Sequence, residues 1–352
     1  MNSKRSNSHL WLRIHNKHKK IFFENRMMKK FNIKHILSPL ALVAICVCVP
    51  FCMSHESQDD NHSPKSEVPY CVASPSVPAQ TEFAGETISL TRADMRERMD
   101  RELSAFTYMH STTMLTIKRA NRFFPVVEPI LKEEGVPDDF KYLMTIESNL
   151  DMLARSPAKA SGLWQFMEGT GRDYGLEVNT NVDERYHIEK ATRAACRYLK
   201  DAYAKYGDWL TVAASYNAGQ GRISQELNRQ QVSKATDLWL VPETSRYMFR
   251  ILAVKEVFKN PSRYGFLLKK ENLYPIIPSK EVKVDTTITN LASFAKKYGL
   301  TVTQLKEANP WLREYSLHNK GRKVYTLSIP DSAALHYNPQ KTQPYRKEWV
   351  IN

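Results

Sequence analysis

The sequence predicts a mainly α-helical protein that ends in a small α+β module. Three observations predict it. Apolar residues recur at three- to four-residue spacing through about residues 93–266, strand-like alternation is scarce before residue 281, and only 12 of 352 residues are glycine. With 42% hydrophobic and 11% aromatic residues the chain can bury a sizeable core, which excludes global disorder. The length suits two modest domains with tails.

The formal charge of +14 invites a nucleic-acid role, but its distribution argues otherwise. Residues 1–35 hold ten Lys or Arg against Glu24 alone, which leaves +5 for the other 317 residues. No nucleic-acid partner is expected. This basic leader (1–35) is followed by an uncharged apolar segment (36–54), the pattern of a secretory signal. A start at Met27 or Met28 would give an ordinary signal, with cleavage after Ser54. The run holds Pro39 and Pro50 and would span a bilayer only marginally, so an uncut form would associate with the membrane through it. The chain is therefore expected to cross the inner membrane into the periplasm or cell envelope. A flexible linker rich in Ser, Pro, Asp and Glu is expected over 55–92. Removal of the signal leaves Cys71, in that linker, and Cys196, read as an inert buried thiol. One pair makes no disulfide framework.

In the helical body (93–266), Phe140, Leu143, Met144 and Ile146 predict a helix that carries Glu147 near its end. The apolar stripe Ala191, Ala194, Ala195, Tyr198, Leu199, Ala202 and Tyr206 predicts a helix from Ile188 to Gly207. Another starts at Leu210 and closes at Asn217-Ala218-Gly219, and a last one runs from Pro242 to Asn260-Pro261. Three stretches hold residues that folding alone would not favour: Ile146-Glu147-Ser148-Asn149, Ser161-Gly162-Leu163-Trp164-Gln165-Phe166-Met167 and Ala214-Ser215-Tyr216-Asn217-Ala218-Gly219. Singly, each has a plain reading. A helix Glu is usually a solvated charge, Trp and Phe usually core, and Asn-Ala-Gly a helix stop.

Together, in this order and spacing, they resemble the catalytic signature of the lytic transglycosylases with a lysozyme-like (SLT) domain, in their membrane-bound murein branch. Thr170-Gly171-Arg172, Tyr174-Gly175-Leu176, Asp183-Glu184-Arg185, Tyr206-Gly207-Asp208-Trp209 and Glu243-Thr244 with Arg246-Tyr247 extend the resemblance over roughly residues 95–266. Glu168, Ser161 and His187-Ile188 depart from the family pattern without removing a residue assigned to chemistry.

The resemblance implies an all-helical lysozyme-like catalytic domain that cleaves the β-1,4 bond between N-acetylmuramic acid and N-acetylglucosamine in peptidoglycan glycan strands. Glu147 is then the one catalytic carboxyl. It acts first as acid, and the substrate's N-acetyl group stabilises the anomeric carbon. Glu147 next acts as base on the muramyl 6-hydroxyl, which closes a 1,6-anhydro ring without water. Ser148, Gln165, Tyr216, Asn217 and Tyr247 are the implied substrate-binding residues, with Tyr247 placed to hydrogen-bond the carboxylate or simply to pack. A free Glu titrates near 4.3, so burial among Leu143, Ile146, Leu163 and Phe166 must raise it for an acid role at neutral pH. Asp183-Glu184-Arg185 reads as a structural turn with ion pairs that caps the helix at 188–206. No cofactor is expected, no metal-ligand spacing is present, and a monomer is expected.

Over 275–332, Val282-Lys283-Val284, the helical spacing from Leu291 to Tyr298, a second helix with Leu305 and Ala308, and Lys323 to Pro330 give strand, helix, helix, strand. This βααβ order resembles a LysM module, a binder of N-acetylglucosamine-containing glycans, although Val284-Asp285-Thr286-Thr287 replaces the usual Gly-Asp. Glycan binding and a packing appendage are both open for this copy. Residues 333–352 read as a polar tail. For the whole chain, a hydrolytic muramidase and an inactive peptidoglycan-binding scaffold are the competing readings.

Overall fold

The computed structural model describes residues 72–351. The expected leader, the signal segment, the first part of the expected linker and Cys71 lie outside them. No helix among the described residues is long and apolar enough to cross a membrane.

The chain enters through a hairpin, β1 (Gln80–Phe83) antiparallel to β2 (Glu86–Ser89), with Thr81 opposite Ile88. Ala84 and Gly85 both take positive φ, at 55° and 83°, which suits a tight two-residue turn between twisted strands. The hairpin corrects the expected linker over its last residues. Phe83 and Leu90 are fully buried, Phe83 meets the Phe140 ring edge-on at 5.3 Å, and Lys255 donates to the Glu82 carbonyl at 2.7 Å. A few apolar anchors in a polar run are ordered here by a surface that the helices supply.

The helical body comprises α1 (Ala93–Tyr108), α2 (His110–Glu133), α3 (Phe140–Ser148), the short α4 (Glu168–Asp173), α5 (Ile188–Tyr206), α6 (Trp209–Ala218), α7 (Gln220–Gln230) and α8 (Pro242–Lys259). Helix α8 is the central element. Met248, Phe249, Ile251, Leu252, Ala253 and Val254 are all buried, so it is apolar nearly all round, and it packs against α1, α3 and α6. Helix α5 spans the residues its stripe predicts and stops at Gly207, whose φ of 62° is the left-handed C-terminal turn. Cys196 is buried in that stripe, and burial pushes its thiol up to about 12.

The C-terminal module pairs β3 (Ser279–Val284) antiparallel with β4 (Tyr325–Pro330) around α9 (Leu291–Lys296) and α10 (Val302–Ala308). Asn290 caps α9, and Thr301 with Gln304 forms a reciprocal capping box on α10. The module's core includes Leu291, Leu305, Leu312, Leu317 and Leu327, together with Val182 and Tyr186 from the helical body.

The expected polar tail is also corrected. Trp349 is buried against Phe124 and Phe258, with ring centroids 5.8 and 5.5 Å away, and its indole donates to the Phe258 carbonyl at 2.9 Å. The Tyr345 backbone donates to Asn121 at 2.7 Å. One buried indole with a satisfied N–H outweighs the polar composition around it.

Candidate active site

Helix α3 is held from both sides, by α2 and by α8, and Glu147 lies in its last turn. Asn149 and Leu150 follow in the left-handed region, at φ 50° and 53°. This is uncommon for Leu, and it ends the helix abruptly beside the carboxyl. Glu147 is half-buried, and its Oε1 accepts a hydrogen bond from the Tyr247 hydroxyl at 2.5 Å. Burial raises its pKa to about 7. The Tyr247 hydrogen bond and the charge of Arg250 pull it down, and the charge of Glu243 adds slightly to the rise. A carboxyl poised there populates both protonation states at neutral pH, as an acid-then-base role requires.

Tyr247 is buried on α8, and burial together with the Glu147 charge pushes its phenol well above the usual range, so it remains a donor. Tyr216, from α6, stands close enough for Glu147 to act on it as well: burial first, then that charge, raises its phenol. Its hydroxyl, however, donates to the Trp164 carbonyl at 2.7 Å. Tyr216 therefore anchors the loop that carries Gln165.

That loop is tightly built. Gln165 has φ 51°, and its amide donates to the Ala154 carbonyl at 3.1 Å and the Gly162 carbonyl at 2.7 Å. Both amide bonds hold the loop, which leaves Oε1 for a ligand. Gly162 has φ 78°, and a Cβ there would sit 2.0 Å from the Arg185 carbonyl oxygen, so only glycine fits. Trp164 is fully buried with its indole on Thr192 at 3.0 Å, a core residue and no sugar platform.

Ser148 is buried, and its hydroxyl donates to the Met144 carbonyl of its own helix at 3.2 Å, so it presents no free donor. Asn217 is half-buried at the end of α6 and makes no side-chain hydrogen bond among the described residues. Hydrogen bonds thus join Glu147 to Tyr247, and Tyr216 to the Trp164 carbonyl beside Gln165.

Sequence reasoning missed two residues that act on the carboxyl. Arg250 and Glu243 flank Tyr247 by about one turn on α8, and that helical spacing was the available signal. Arg185, read from the sequence as part of a structural turn, is buried in the short turn Glu184–Tyr186. It pairs with Asp183 at 2.7 Å and donates to the Lys159 carbonyl at 3.0 Å and the Phe166 carbonyl at 3.1 Å. The turn and its ion pairs are present, including Lys190 with Glu184 at 2.5 Å. Capping of α5 is not: His187 precedes α5 without a side-chain cap, and Asp183 instead caps its own turn through the Arg185 N–H at 3.2 Å. Glu168 is exposed and pairs with Arg172 at 2.8 Å.

The outer side of this segment carries the C-terminal module. Asp183 N–H donates to the Trp311 carbonyl and Arg313 N–H to the Asn181 carbonyl, both at 2.9 Å. His187 stacks on Trp311 at 5.8 Å, Lys323 meets Glu177 at 2.5 Å, and the Arg313 guanidinium lies 4.3 Å from the Tyr186 ring centroid.

Residues 126–239 match the family described as Transglycosylase SLT domain, and residues 280–333 match the Soluble lytic transglycosylase C-terminal LysM-like domain. The chain carries an SLT domain and a LysM-like domain. The first match contains Glu147, Ser148, Gln165, Tyr216 and Asn217 and ends before Tyr247. The fold is accordingly a mainly helical, lysozyme-like SLT body followed by a βααβ module. The chain is homologous to the Membrane-bound lytic murein transglycosylase D of Escherichia coli K12, with 29% identity over 232 residues, 64% of this chain and 50% of that protein. It spans about half the length of that relative. A Putative tributyltin chloride resistance protein of Alteromonas sp. strain M-1 is 24% identical over 171 residues, 48% of this chain and 80% of that one. A solved structure of an inactive mutant of the lytic transglycosylase Slt from Pseudomonas aeruginosa is similar at 21% identity and a TM-score of 0.34, covering 48% of this chain and 33% of that one.

Proposed function

We propose that this chain is a peptidoglycan lytic transglycosylase, a carbon–oxygen lyase that cleaves the bond between N-acetylmuramic acid and N-acetylglucosamine and leaves 1,6-anhydromuramic ends. The observation that carries the reading is one carboxyl, Glu147, raised by burial to about 7 and held by Tyr247. Protonated Glu147 donates to the leaving oxygen, and the substrate's N-acetyl group stabilises the anomeric carbon. The carboxylate then takes the proton of the 6-hydroxyl as that oxygen closes the ring. Arg250 and Tyr247 favour the carboxylate between the two transfers, and burial favours its return to the acid. Asn217 and the Gln165 Oε1 are the groups left to hold the sugar. The murein relative named above and the match to the SLT family support this reading.

The basic leader and the apolar segment support export to the cell envelope, with glycan strands as the partner and the uncut segment as a membrane anchor. A hydrolytic muramidase is the second reading, and Glu243 favours it, being, among the described residues, the one other carboxylate whose charge bears on Glu147. Mass spectrometry of digested peptidoglycan separates the two, because hydrolysed ends are one water heavier than anhydro ends. Anhydro ends as the main product support the lyase. Reducing ends would make the chain a muramidase, and intact strands a scaffold.

A further inference from the structure

A cavity of about 800 Å³ opens between α1, α7 and α8, and none of the Glu147 group lines it. Its walls carry five arginines, Arg98 and Arg101 from α1, Arg222 and Arg229 from α7, and Arg246 from α8, against two carboxylates, Glu102 and Glu226. The carboxylates are already engaged. Buried Glu102 holds Arg246 at 2.6 and 3.2 Å, and Glu226 accepts from Gln230 at 2.8 Å. The excess is cationic: Arg98 pairs with Asp94 at 3.6 Å, Arg101 with Glu102 at 3.8 Å and Arg229 with Glu226 at 3.7 Å, and Arg222 makes no ion pair among the described residues. Val241, Pro242 and Ser245 bring the uncapped N-terminus of the 18-residue α8 to the same wall, adding the positive end of its dipole. At the rim Trp239 is 84% exposed, while Gln230 pins its backbone from both sides, at 2.7 and 3.0 Å. A large apolar side chain on a fixed backbone beside a cationic hollow is arranged for a ligand with both acidic and apolar parts.

We infer that this cavity binds the peptide attached to the glycan strand, through its free carboxylates. The inference rests on the proposed function. Guanidinium forks match carboxylates in a bidentate way, and the volume holds several residues of an extended peptide. The cavity also adjoins the site along the chain. Arg246 precedes Tyr247 on α8, so one wall of the cavity belongs to the helix that supplies the hydrogen bond to Glu147. A strand threaded past Glu147 would then be read by its acidic side chains as well as by its sugars.

The test uses a purified stem peptide free of glycan, the same peptide with its carboxylates amidated, and inorganic phosphate. Trp239 emission in the wild-type protein is the readout, with Trp239→Phe as the blank. The carboxylate peptide is expected to shift Trp239 emission saturably, with an affinity that falls as salt rises. The amidated peptide and phosphate should not, and Arg222→Gln with Arg229→Gln should weaken binding at least tenfold. In the activity arm, the same double variant should lose about tenfold in kcat/KM, through KM, on strands that keep their peptides. It should match wild type on strands stripped of them. Equal response to the amidated peptide, saturation by phosphate alone, or an equal kcat/KM loss on stripped strands would overturn the inference. Absence of turnover on every substrate would instead remove the proposed function, and the fluorescence arm would still decide whether the cavity takes the peptide.

Discussion

Arg185 donates to the Phe166 carbonyl at 3.1 Å, and this bond ties a buried ion pair to the end of the loop that carries Gln165. The planar guanidinium spans three partners, Asp183, Lys159 and Phe166. Lysine offers a point charge and cannot reproduce the fork. Arg185→Lys is expected to lower kcat/KM by about ten- to a hundredfold, because small displacements of a positioning loop cost that much. Since Arg185 is not among the groups that shift Glu147, the pH dependence should stay where it is. A displaced pH profile would show that Arg185 acts on the carboxyl itself.

The activity should fall as pH rises through about 7, where Glu147 loses the proton it must donate. Neighbouring substitutions should move that limb in opposite directions. Tyr247→Phe removes a hydrogen bond that favours the carboxylate, and Arg250→Gln removes a favourable charge, so both should shift the limb to higher pH. Glu243→Gln removes a like charge and should shift it slightly lower while leaving anhydro products. A set of kcat/KM–pH profiles checks all three, and loss of product in Glu243→Gln would hand the second carboxylate role to that residue.

Glu147 should be costly to the fold where it is useful to the chemistry. Its folded pKa of about 7 lies above the ordinary carboxyl value of 4.5, so the native state binds the proton more tightly than the unfolded chain. Stability then declines as pH rises from about 4.5 through 7, by up to about 3 kcal/mol. Glu147→Gln removes that penalty while leaving an acceptor for Tyr247. It should melt a few degrees above wild type at pH 8, show little difference at pH 4, and lose at least 10²- to 10⁴-fold in rate, by order of magnitude. Thermal melts at the two pH values provide the check.

Trp349→Ala should destabilise the protein by about 3–5 kcal/mol, the usual cost of emptying a buried aromatic site. It opens a hole between Phe124 and Phe258 and leaves the Phe258 carbonyl without its donor. For the same reason a chain cut near Tyr274 would probe the stability of the SLT body before it probed glycan affinity. Chemical denaturation of Trp349→Ala and Trp349→Phe distinguishes packing from the lost hydrogen bond.

Much of the helical framework is legible in the sequence where a stripe is continuous and its end is marked. Helix α5 is the best example, with an unbroken apolar face from Ala191 to Tyr206 and a glycine at its stop. The hairpin at 80–89 and the anchor at Trp349 are not legible, because their apolar residues are isolated and the surface that buries them comes from distant helices. At the site, Glu147 and Tyr247 are 100 residues apart, and their hydrogen bond depends on how α3 crosses α8, which no local pattern encodes. Residue type told less still about Ser148 and Gln165, whose donors are directed to nearby backbone carbonyls.

The LysM-like module completes its core with Val182 and Tyr186 from the SLT body. A module that borrows part of its interior has no melting event of its own. Heat should dissolve both parts in one cooperative transition, with calorimetric and van't Hoff enthalpies in agreement. A protease that nicks the connection near exposed Leu267 or Ile276 should leave two fragments that still migrate together.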